Sequence, residues 1–171
     1  SEILALARLD ADTGTPEAVD LPDMLARLQR EVPEAFPGQR IEVNIEPAIS
    51  LAGWPDMLER ALDNLLRNAL RFNPSEQPVT LSARTEHGQL CLSVRDHGPG
   101  VANEHLQRLG EPFFRAPGQA APGHGLGLAI SRRAAERHGG RLALANHPDG
   151  GFIASLIVPL EPMPEPPSLS R

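Results

Sequence analysis

Residues 61–72, ALDNLLRNALRF, constrain this chain more than any other stretch. At about 100° per residue, Leu58, Ala61, Leu62, Leu65 and Ala69 share one helix face, which has to be covered by a core. Asn64, Asn68 and Phe72 form a row along the edge of that face. The helix is predicted to start near Trp54 and Pro55, because proline suits a first helical turn, and to stop before Asn73 and Pro74. Asparagine is a poor helix former, costing about 0.5 kcal/mol relative to alanine, so two of them beside a buried edge need a compensating partner. Two readings stand open: their amide oxygens bind a hard cation such as magnesium, or they are solvated or cap a neighbouring loop.

A helix with one apolar face needs a surface to cover. The alternating runs PVTLSARTE and QLCLSVRD, joined by HG, predict a hairpin, and RLALANHPDGGFIASLIVPL predicts a second. RIEVNIEP alternates as a further strand. After Pro22, DMLARLQREV is helical with Met24, Leu25, Leu28 and Val32 on one side. LGLAISRRAAERHGG predicts another helix, ended by Gly139 and Gly140. Strands joined by hairpins, with helices able to cover one face, make a two-layer α/β sandwich.

The length of 171 residues suits one domain, and 40% hydrophobic residues is enough for a core. The formal charge of -6 gives no general attraction to nucleic acid or anionic lipid, so an anionic ligand needs a local site. All 16 basic residues are arginine. Without lysine there is neither a Walker A phosphate loop nor Schiff-base chemistry. Cys91 is the only cysteine, which excludes an internal disulfide, and its surroundings, LCLSV, predict a packed strand residue. No run reaches the length of a membrane span and no signal-peptide pattern opens the chain. Residues 1–9, SEILALARL, look like the end of a helix that begins upstream, and EPMPEPPSLSR at 161–171 is a polar, proline-rich tail expected to be disordered.

Two further features concern chemistry. In VRDHGPG, Gly98 and Gly100 permit a sharp turn and a close approach, and Asp96 offers an acceptor that suits an adenine amino group; taken alone the motif is weak, and a plain turn is the more common use of such residues. GHGLGLAI sets Gly123, Gly125 and Gly127 at alternate positions before a helix, whose unpaired N–H groups and partial positive charge suit phosphate; a simple loop and a lid hinge are the other readings. Between them, residues 98–123 form a long loop of the kind that is usually functional, with a short helical piece around Leu106 and the aromatic EPFFR.

The order NxxxN, DxGxG, EPFFR, GxGxG resembles the N, G1, F and G2 boxes of the catalytic, ATP-binding domain of two-component sensor histidine kinases, over residues 17–160. Residues 1–16 are similar to the last turns of the preceding dimerisation helix and a linker. The resemblance implies the Bergerat fold: a two-layer sandwich of a mixed, mostly antiparallel sheet, helices on one face and a mobile ATP lid. It implies ATP and magnesium as cofactors. Asn68 would coordinate the metal, and Asn64 would support the site from one turn earlier. Arg71 would stand near the phosphates, and Phe72 would lie against the adenine. Asp96 would accept from the adenine amino group, with Gly98 and Gly100 making room. Phe113, Phe114 and Arg115 would belong to the lid. Gly123, Gly125 and Gly127, with Leu126 and Leu128, would hinge the lid and bring amides to the phosphates. His97 and His124 depart from the family pattern and are expected to be solvated.

None of the six histidines sits in the context the family uses for a phosphoacceptor, so the chain is expected to be a fragment acting on a histidine elsewhere. The implied partners are the dimerisation domain of a homodimeric parent and a response regulator; the isolated domain would be monomeric. The parent would be an inner-membrane sensor with this domain in the cytoplasm. Related ATPases carry a glutamate at the position of Asn64, as general base for water, and an amide cannot take that proton.

Overall fold

The helices and strands follow the periodicity of the sequence. The computed structural model describes residues 14–106, 108–109, 111 and 127–160. These form β1 (Glu17–Ala18), α1 (Leu21–Glu31), a 3-10 turn (Val32–Ala35), β2 (Ile41–Ile45), β3 (Ala52–Gly53), α2 (Pro55–Phe72), β4 (Val79–Glu86), β5 (Gln89–Arg95), α3 (Asn103–Leu106), α4 (Gly127–Arg137), β6 (Arg141–Asn146) and β7 (Phe152–Pro159). The sheet order is β2-β4-β5-β7-β6, with β2 parallel to β4 and every other pair antiparallel. The β4–β5 link works because His87 and Gly88 both take positive φ, 52° and 74°, which matches the twist of the flanking strands.

Register decides which face is apolar. Leu81 pairs with Val94 and Ala83 with Leu92; across the next ladder Leu92 meets Leu156 and Val94 meets Ala154. All six are buried, and α2 and α4 lie over them, together with α1 at the β2 edge. The predicted face of α2 is buried throughout, with Leu58, Ala61 and Leu62 fully enclosed. Met24, Leu25, Leu28 and Val32 join the same core. Arg27 ties α1 to α2 through a forked pair with Glu59, one arm being Nε to Oε2 at 3.2 Å; partial exposure keeps its contribution modest.

Two features differ from expectation. Cys91 is in a strand as predicted but is half-buried on the face turned away from the helices, its Sγ 3.3 Å from Ser93 Oγ, which is 2.8 Å from Ser155 Oγ. The alternation that buries Leu90 and Leu92 necessarily turns Cys91 outward. The small sheet of β1 and β3, pairing Glu17 with Gly53 and Ala18 with Ala52, has only two residues per strand and leaves no alternation to read. Residues 1–9 and 161–171 lie outside the described residues. Among those described, no helix is long and apolar enough to cross a membrane.

Candidate functional site

The C-terminal end of α2, the loop after β5 and the first turn of α4 converge. α2 ends where Asn73 takes an extended conformation ahead of Pro74, with φ -78° and ψ 134°. Against this end runs Asp96–Gly98. A Cβ on Gly98 would stand 2.6 Å from the carbonyl oxygen of Phe72, so only glycine permits this approach. Gly100 has φ +74°, and its added Cβ would meet Asn146 Oδ1 at 2.6 Å.

Asp96 is 4% exposed. Its Oδ1 accepts from Gly98 N at 2.8 Å and from Phe152 N at 3.2 Å, while its own N–H donates to Phe152 O at 3.0 Å. Burial raises its pKa above the ordinary carboxylate value, opposed by these two backbone donors. Among the described residues both bonds fall on one oxygen, which leaves acceptor capacity on the other.

Along α2, Asn64 and Asn68 are half-buried, Phe72 is half-buried and Arg71 is exposed. The Asn64 Nδ2 is enclosed and has no hydrogen-bond partner among the described residues. α4 starts beside it: a Cβ on Gly127 would lie 4.0 Å from Asn64 Cβ, and Ser131 Oγ donates to Ala61 O at 2.9 Å, fixing one helix on the other. No acidic residue occupies the first turn of α4 to offset its N-terminal charge, and Leu128 packs on the core from there. Asp63, next to Asn64, is held by Arg67 Nε at 2.9 Å. Of the predicted site residues, Phe114, Arg115, Gly123, Gly125 and Leu126 lie outside the described residues, as do Phe113 and His124.

Three contributors were not legible as such. Gly151, at φ +93°, passes so close to Asp96 that a Cβ would lie 2.0 Å from its carbonyl oxygen; the DGG stretch marks a turn but not this approach. Asn146 clasps Val101, accepting from its N at 2.8 Å and donating to its O at 2.6 Å. Asn73 accepts from His97 N at 2.8 Å.

A mixed sheet with helices on one face, and a helix edge facing a buried aspartate loop, define an ATP-binding module of the Bergerat class. Residues 53–162 match the family described as histidine kinase-, DNA gyrase B- and HSP90-like ATPases, and the chain belongs to this family. Within it, the chain is an ATP-binding catalytic domain of the sensor histidine kinase kind. It is 34% identical over 160 residues to the sensor protein QseC of Escherichia coli K12, covering 91% of this chain and 35% of QseC. A probable sensor histidine kinase of Mycobacterium tuberculosis is 37% identical over 167 residues, covering 97% of this chain and 43% of that one. The chain thus spans less than half the length of these relatives. Among solved structures, the mycobacterial sensor histidine kinase MprB superposes with a TM-score of 0.77 at 29% identity, covering 86% of this chain and all of that one. The ATP-binding domain of PrrB from Mycobacterium tuberculosis gives 0.71 at 28%, covering 86% and 98%.

Proposed function

We propose that this chain binds ATP with magnesium between α2, the Asp96 loop and the start of α4, and presents the γ-phosphoryl group to a histidine on a dimerisation domain of a homodimeric parent kinase, for relay to a response regulator. Residues 17–160 act as the catalytic unit, joined through residues 1–16 to the dimerisation helix and followed by a tail at 161–171. The parent is an inner-membrane sensor with this unit in the cytoplasm.

The buried Asp96 carries the reading: a carboxylate with one oxygen held by backbone donors is pre-aimed for a ligand donor, and the adenine amino group supplies one. Gly98 and Gly100 leave room for the base, and Phe72 lies against it. The amide oxygen of Asn68 suits magnesium, a hard cation that neutralises phosphate charge when bound. The enclosed Asn64 Nδ2 calls for an acceptor beside α4, which suits a phosphate oxygen. Arg71 is exposed on the same helix and contributes a cation. Gly123, Gly125, Leu126, Gly127 and Leu128 bring N–H groups to the phosphates, and Phe114 and Arg115 close over them.

Hydrolysis by water is the second reading, and Asn64 weighs against it. Asp63 does not stand in as the base, because Arg67 holds its carboxylate. Phosphate release from saturating labelled ATP, with bound nucleotide measured in the same sample, separates the two. Binding with negligible release is expected; rapid release would move the assignment to an ATPase.

A further inference from the structure

The sequence marks Asn73 only as the residue that ends α2, yet it is 6% exposed and its side chain is committed at both ends. Its Nδ2 lies 3.0 Å from Gln39 Oε1, 2.9 Å from Pro74 O and 2.6 Å from Gln77 O, and these acceptors share two N–H groups. Its Oδ1 accepts from His97 N at 2.8 Å, and Gln39 Nε2 returns a bond to its backbone oxygen at 2.5 Å. The bond to His97 crosses from the end of α2 to the residue between Asp96 and Gly98. An aspartate here would face three acceptors with a fourth. An aliphatic side chain would leave the His97 N–H without its acceptor.

We propose that Asn73 is a positioning residue for recognition of the base: it sets the distance between the Asp96 carboxylate and the side chains of α2. This rests on the reading of Asp96 as the adenine acceptor. The cap made by Nδ2 and the loop anchor made by Oδ1 are separable functions of one amide. Gln39→Ala weakens the cap and leaves the anchor. Asn73→Ala removes both, and His97→Pro removes the anchor from the loop side while Asn73 keeps its cap.

The test compares affinity for ATP with that for purine riboside triphosphate, which lacks only the 6-amino group, using the 171-residue chain with magnesium. The unaltered chain is expected to prefer ATP by about tenfold or more, the worth of one charge-assisted hydrogen bond. In Asn73→Ala and in His97→Pro that preference falls toward one, whereas Gln39→Ala keeps it even if melting temperature drops. A general structural role would lower stability and both affinities together and leave the ratio alone. Full preference in either anchor variant overturns the role of Asn73. Equal binding of the two nucleotides by the unaltered chain overturns the Asp96 reading, and this proposal with it.

Discussion

The two ends of the candidate site are built in opposite ways. The Asp96 side is over-determined: the carboxylate takes two backbone donors, Asn73 fixes the next amide, and Gly98 and Gly151 exist to let backbones touch. The Asn64 and Asn68 side is under-determined, with an enclosed amide nitrogen that has no partner among the described residues and a first turn of α4 without a compensating acid. A nucleobase has one shape and one donor pattern, so a rigid reader costs nothing at binding. A triphosphate changes charge during reaction, and polar groups left unpaired by the protein are those a ligand can satisfy. On the proposed reading, fold strength concentrates on the base side and ligand dependence on the phosphate side.

The largest effect is expected where rigidity depends on a missing side chain. Gly151→Ala places a carbon 2.0 Å from the Asp96 carbonyl oxygen at φ +93°, so the backbone has to move. It should cost about 3 kcal/mol or more in urea unfolding. A variant as stable as the parent would mean that this packing is looser than described. On the phosphate side, Asn68→Ala should leave the melting temperature nearly unchanged, because the side chain is half-exposed, yet lower magnesium-dependent ATP affinity about 100-fold. Unchanged affinity would remove Asn68 from the metal assignment.

Asp96→Asn sharpens the contrast further. The replacement keeps an oxygen for Gly98 N and Phe152 N and removes a buried charge. Since the folded pKa of Asp96 is raised, the fold holds its proton more tightly than the unfolded chain does; stability is fullest below the ordinary carboxylate pKa and declines as pH rises through the raised one. At neutral pH the variant should therefore melt no lower than the parent. Its new amide hydrogens would oppose the adenine amino group, so ATP and ADP affinity should fall alike, by about tenfold. A fall for ATP alone would point to the phosphates instead.

How much of this was readable depends on range along the chain. The buried face of α2 and both main hairpins follow from periodicities of 3.6 and 2, which are local, and the structure has them. Asp96, Gly98 and Gly100 could be singled out only by their place in the order NxxxN, DxGxG, EPFFR, GxGxG, since a plain turn reads from the same residues. Asn73, Asn146 and Gly151 could not, since each acts on a partner brought near by folding: Asn73 on His97, Asn146 on Val101 and Gly151 on Asp96. A capping asparagine and a turn glycine look the same in sequence whether or not anything approaches them.

The same long-range logic hides His138, which the sequence marks only as a helix end. Its Nδ1 lies 2.7 Å from Ala134 O and its Nε2 takes the Trp54 N–H at 3.0 Å, joining the last turn of α4 to the first of α2. Trp54 packs edge-on against the ring at 5.1 Å, and Arg137 lies 5.8 Å from the centre of the Trp54 ring. With Nδ1 donating and Nε2 accepting, the imidazole has to be neutral. Burial lowers its pKa and the Arg137 charge adds to that, outweighing the Ala134 carbonyl. A lowered folded pKa gives stability that is complete above the ordinary histidine value, about 6.5, and is lost as pH falls from there through the folded value. This joint fixes α4 on α2 at the end of the helix pair opposite the candidate site. His138→Gln should lower stability by about 1 kcal/mol at pH 8 and flatten the loss between pH 6.5 and the lower folded value. If the variant keeps the full acid slope, the proton that loosens the helix pair is taken up elsewhere.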